Sequence, residues 1–145
     1  MTWLHNEKEI DESLLEGFIG FVYKITNLKT NRIYIGKKLL KFSKTKKVKG
    51  KKKKFLVESD WEQYWGSNKV LSQDVLDLGE ENFTREILRL CKMRGEMSYF
   101  EAKMQFDLCV LESDKYYNEW IMVKIHKSHL KKVLTIPNTN DIIQS

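Results

Sequence analysis

The chain has 145 residues, 41% of them hydrophobic and 12% aromatic, which is one domain's length with ample material for a core and excludes disorder throughout. No apolar run approaches the ~18 residues of a membrane helix, and Met1–Glu16 carries five acids where a secretion signal would be basic and then apolar. A soluble, intracellular, cytoplasmic protein is expected. The net charge of +6 is uneven: 11 of the 18 residues from Lys37 to Lys54 are lysine and none is acidic, while the rest of the chain has 15 basic and 20 acidic residues. One segment makes the chain basic, as a phosphate-binding surface would.

After an acidic lead-in (residues 1–16), Phe18–Asn27 is aromatic and β-branched and predicts a strand; Leu28–Arg32 has turn composition, and Arg32–Gly36 predicts a second strand, making a hairpin. In the lysine segment, Lys47–Lys51 reads equally as the tip of a second hairpin or as part of a disordered basic loop, with Leu39–Phe42 and Phe55–Val57 as apolar flanks. Ser67 or Asn68 should cap a helix carrying Val70, Leu71, Val75 and Leu76 and stopping near Gly79. Phe83–Leu90 predicts a third strand. Glu96–Val110 predicts an amphipathic helix, with Met97, Phe100, Met104 and Leu108 at helical spacing. Tyr116–Leu134 is mixed and predicts at most a weak helix or strand. Pro137 opens a polar tail, and 131–145 is read as outside a domain spanning 17–130. The fold class is therefore mixed α/β (α+β): a small three-stranded, mainly antiparallel sheet flanked by helices, with a basic hairpin or loop inserted. Cys91 and Cys109 lack zinc-ligand spacing and read as reduced thiols.

Glu101 falls on the apolar side of its helix, one turn from Met97 and Gln105 and beside Met104. A carboxylate there needs a cation for company, and either a lysine salt bridge or a metal ion would serve. Tyr23 and Tyr34 stand eleven residues apart on the paired strands, where packing is the ordinary role of a tyrosine. Phe21-Val22-Tyr23 followed by Lys24-Ile25-Thr26-Asn27, then Tyr34-Ile35-Gly36, with Glu101 on a helix after the third strand and Tyr117-Asn118 beyond it, resembles the GIY-YIG nuclease family. The first element keeps only its tyrosine. Glu58–Asn68 and Tyr116–Leu130 also resemble segments of phage-encoded members, so the likeness spans Gly17 to Leu130 in consistent order.

The resemblance implies the GIY-YIG nuclease fold and hydrolysis of DNA phosphodiesters. Glu101 would hold Mg²⁺ (or Mn²⁺), Tyr23 would help activate water, Tyr34 would position water or phosphate, and Asn118 would orient Glu101 or the DNA backbone. A phage-encoded member would work in the host cytoplasm. The family's arginine after YIG is missing: no arginine lies between Arg32 and Arg85, and Lys44 stands at about the right distance, with Lys38 as a closer competitor. DNA contacts are expected from Lys37, Lys38, Lys41, Lys46, Lys47, Lys49, Lys51 and Lys52, and from Lys124 and Lys127, where His126 and His129 add to a basic surface. The alternatives are a non-catalytic DNA-binding module that has kept the fold, or a structural protein solubilised by its lysines. Trp61 and Trp65 read most simply as core or as a cover for the lysine segment, with base stacking as the alternative.

Overall fold

The computed structural model describes residues 2–130; the tail expected over 131–145 lies outside them. Seven strands and two α-helices occur in these residues: β1 (Leu4–His5), β2 (Lys8–Glu9), β3 (Gly20–Asn27), β4 (Ile33–Leu39), β5 (Lys41–Val48), β6 (Lys51–Glu58), α1 (Lys69–Leu78), β7 (Phe83–Cys91) and α2 (Arg94–Asp107). The main sheet has the order β2-β1-β7-β3-β4, while β5 and β6 pair only with each other.

The sheet is thus five-stranded, not three-stranded. Its centre is the expected antiparallel trio β7-β3-β4, and β1 adds to β7 in parallel. What the acidic N-terminal composition hides is Trp3. Its ring is buried against Phe21 and Tyr23, and its Nε1 donates to the Trp61 carbonyl at 2.8 Å. Burying an indole with its N–H satisfied outweighs the acids around it, which stay in water.

The first half of β3, Gly20–Tyr23, is buried on both faces, which is why it runs apolar without alternation, whereas half-buried Lys24 and Thr26 flank buried Ile25. Phe21, Tyr23 and Ile25 enter one core with Trp61, Leu71, Val75 and Phe83 beneath α1, whereas Val22 joins Ile35, Cys91 and Met97 beneath α2. The result is three layers, with β4 at the sheet's edge. The side chain of Asn68 caps α1 by accepting from Leu71 N at 2.9 Å, and Gly79 ends it at φ +90. In the first turn of α2, Glu96 turns back to accept from Lys92 N at 2.7 Å. Val110, expected within that helix, lies beyond its end at Asp107.

The lysine segment is a hairpin. Lys49 (φ 51) and Gly50 (φ 76) make the two-residue turn between Val48 and Lys51, and both positive angles suit the twist of a tight hairpin. Almost every residue of this ribbon is exposed. The region after Tyr116 forms no further strand or α-helix among the described residues, only a short 3-10 turn at Lys127–Leu130.

Candidate active site

The two tyrosines meet through a glycine. In the β3–β4 register Tyr23 faces Gly36 and Ile25 faces Tyr34, which places the tyrosine rings 6.1 Å apart on one face. A Cβ on Gly36 would sit 2.5 Å from the Tyr23 hydroxyl and 3.0 Å from Tyr34 Cε1. The missing side chain is the lane along which Tyr23 crosses β4. A register shift at Val22/Tyr23 against β7 sits at the same point, and such bulges re-aim a side chain. Tyr23 is 1% exposed, and burial, then Tyr64 and Tyr34, push its hydroxyl well above the ordinary tyrosine pKa. Tyr34 is less enclosed; its hydroxyl is 3.1 Å from Ser67 Oγ, and burial raises it too.

From the other side of the sheet, Ser98, Glu101 and Gln105 project from one face of α2, three and seven residues apart. Lys37, the residue after Gly36, reaches into this row. Its Nζ donates to Ser98 Oγ at 2.8 Å and lies 3.7 Å from Glu101 Oε1, an ion-pair distance rather than a hydrogen bond. Burial raises the Glu101 pKa above its usual value and Lys37 pulls it back. The expected company for this carboxylate is therefore a lysine, but one exposed to the pocket.

Asn118 does not reach Glu101 by any hydrogen bond among the described residues. Its Oδ1 accepts from Ile35 N at 3.1 Å and its Nδ2 donates to Ile35 O at 2.8 Å. Just before it, Ile33 N donates to Lys115 O and Tyr117 N to Ile33 O. The segment thus pairs along the open edge of β4, and the Asn118 amide continues the ladder in place of backbone. An exposed edge beside the site is closed in this way.

Tyr34, Lys37, Glu101, Gln105 and Asn118 line one pocket of about 500 Å³, together with Ser67, Asn68 and Lys69 at the start of α1 and with Trp120 and Met122. Its carboxylates are Glu101 and Glu119, and no group of three or more His, Cys, Asp or Glu among the described residues could jointly hold an ion. That donor set suits a hard ion such as Mg²⁺, which keeps waters and takes phosphate oxygens, and does not suit a zinc cage.

Lys44 is absent from this pocket. It sits exposed on β5 opposite Phe55, because the chain leaves the sheet after Leu40 and carries it away. Lys38 is committed elsewhere: its Nζ is 2.6 Å from Asp60 Oδ1 and 4.0 Å from the Tyr64 ring centroid. Lys41, Lys46, Lys47, Lys49, Lys51 and Lys52 lie on the ribbon and Lys124 and Lys127 on the last described segment, all exposed. Of that basic surface, His129 packs on Gly95. Trp61 is core, and Trp65 packs on Phe83 and Arg85. A second cleft, between the ribbon and the start of α2, is lined by Lys41, Lys54, Lys92 and Arg94. Sequence reasoning missed Lys69, Ser98 and Trp120. Ser98 alone had a signal, its three-residue offset from Glu101.

Among the described residues no helix is long and apolar enough to cross a membrane. Comparison with curated proteins and with solved structures returns no match. Residues 3–121 match the family model described as "Putative endonuclease segE, GIY-YIG domain". The match takes in Trp3, both tyrosines, Glu101, Asn118 and the basic ribbon, and on it the chain belongs to the SegE-type GIY-YIG endonuclease-domain family.

Proposed function

We propose that the chain is a DNA endonuclease that hydrolyses phosphodiesters with a divalent ion, Mg²⁺ or Mn²⁺, held at Glu101. The observation that carries this reading is the Lys37–Glu101 pair sharing a single pocket with Tyr34. A divalent ion supplies positive charge at the scissile phosphate and leaving oxygen. The chain's own groups do the rest. Lys37 takes the part of the missing arginine, binding a phosphate oxygen from the position where it now contacts Glu101 and Ser98. Tyr34, with Ser67, orients the attacking water. Tyr23, enclosed and held neutral, positions Tyr34 and seals the floor. Asn118 fixes β4 under Lys37. The ribbon lysines, with Lys124 and Lys127, bind backbone phosphates of the DNA.

The test is supercoiled plasmid incubated with Mg²⁺ or Mn²⁺, against EDTA and against Glu101→Ala. Nicked or linear product that needs both the ion and Glu101 supports the reading. One specific observation favours a second reading, a DNA-binding module without catalysis: no arginine among the described residues lines the pocket. Salt-sensitive DNA binding with no cleavage under either ion would establish it.

A further inference from the structure

We propose that Trp120 is a stacking platform for a nucleobase next to the phosphate held at Lys37, and that the preferred substrate presents an unpaired base there. This rests on the endonuclease reading and names the DNA it would act on.

The four tryptophans are treated very differently by the fold. Trp3 and Trp61 are 1% and 3% exposed and Trp65 is half-buried against Phe83, whereas Trp120 is 73% exposed. Among the described residues its ring has no aromatic or cationic partner. A single exposed apolar side chain is ordinary, but this one shares a pocket with Tyr34, Lys37 and Glu101, and Met122 stands beside it at 71% exposed. Nor is its placement loose. Two residues earlier, Asn118 is tied to Ile35 by two hydrogen bonds, and Tyr117 N is bonded to Ile33 O.

The pocket therefore combines two unlike kinds of lining, the polar Lys37, Glu101 and Gln105 and the apolar Trp120 and Met122. A phosphate would use only the polar groups, whereas a nucleotide has both an anionic and an aromatic end, joined by a short sugar. Every base offers a π-face, so such a contact is tolerant of sequence. In a paired duplex both faces of a base are already covered by its neighbours. An indole can stack only on a base that is bulged, terminal or turned out of the helix, and unstacking costs least where the base is already unpaired. Hence the inferred substrate class is DNA with an unpaired base beside the cleaved bond.

The experiment uses the full chain in EDTA with two labelled duplexes of one sequence, one fully paired and one with a single bulged thymine. DNA anisotropy reports binding, and protein tryptophan emission reports stacking. Wild type should bind the bulged duplex more tightly and lose emission on binding it. Trp120→Ala should lower affinity for the bulged duplex by about tenfold or more, leaving the paired duplex little changed. Trp120→Phe should keep much of the preference and abolish the emission change. An unchanged preference in Trp120→Ala, or quenching that persists in Trp120→Phe, overturns the inference while leaving the nuclease reading in place. Failure to bind either duplex overturns both.

Discussion

Lys37 Nζ stands 2.8 Å from Ser98 Oγ and 3.7 Å from Glu101 Oε1, so one lysine links the edge strand of the sheet to the carboxylate of α2. Ser98 fixes the ammonium on one side and leaves its remaining protons toward the pocket. A phosphate arriving there meets a cation already in place, without the bidentate fork an arginine would give. Removing a preorganised donor to the developing charge typically costs about a hundredfold in rate or more. Lys37→Ala should therefore slow single-turnover cleavage at saturating DNA by about that factor, and Lys37→Arg should restore part of it. Lys44→Ala should cleave at close to the wild-type rate once DNA is saturating. Wild-type cleavage by Lys37→Ala, or its abolition in Lys44→Ala, would return the role to Lys44.

Glu101 should cost the protein stability at neutral pH. Burial raises its pKa in the folded chain, so the folded state holds this proton more tightly than the unfolded state does. Stability then falls as pH rises through the carboxylate range, and the whole penalty is present at pH 7. Lys37 reduces it but does not cancel it. Glu101→Gln should melt higher than wild type at pH 7, with the gap closing as pH falls toward about 4, while cleavage is lost. Melting curves at several pH values decide the matter, and a lower melting temperature at pH 7 would contradict the burial argument.

How much of this is legible in the sequence differs by residue, and the reasons are physical. β3, β4, β7 and α1 announce themselves locally, through an apolar run, a turn, an alternation, and Asn68 and Gly79 at the helix ends. Glu101 is visible because helical spacing sets it beside Met97 and Met104. The ribbon is not decidable, since strands that bury nothing carry no periodic signal; only Gly50 hints at the turn. Lys44 matches a family distance counted along the chain, but the chain departs into the ribbon after Leu40 and the count loses its meaning. Trp3 is masked by acids that the fold keeps outside. The contact of Asn118 with Ile35 depends on a strand edge lying 83 residues earlier, which no local pattern encodes.

That contact makes Asn118 a positioning residue. In Asn118→Ala the buried Ile35 N–H loses its acceptor, while Gln105 still donates to Ile35 O at 3.0 Å. An orphaned buried donor costs about 1–3 kcal/mol. The urea midpoint should drop accordingly with an unchanged m-value, and cleavage should weaken because Lys37 sits two residues along the same strand. Full stability with cleavage abolished would instead make Asn118 a substrate contact.

Gly36→Ala tests the lane between the tyrosines. The added methyl must displace the Tyr23 hydroxyl, and Tyr23 is packed by Trp3, Phe21 and Tyr64. Overpacking of this kind costs about 1–3 kcal/mol. Cleavage should fall with DNA affinity nearly intact, since the ribbon is untouched. A variant as active and as stable as wild type would show that the tyrosines can move apart freely.

The ribbon makes the opposite prediction, large for binding and small for folding. Lys46 pairs across from Lys53 and Lys47 from Lys52, four like charges near the tip with none of their side chains buried. Facing lysines repel, so a ribbon kept only for stability would not be built this way. Replacing these four by glutamine should leave the melting temperature unchanged or slightly raised. The same change should weaken binding of duplex DNA and flatten the dependence of log K on log salt, by about 0.9 for each phosphate no longer neutralised. Titrations of anisotropy at three or four salt concentrations measure that slope directly. A slope identical to wild type would mean that the DNA avoids the ribbon and follows the cleft of Lys92 and Arg94 alone.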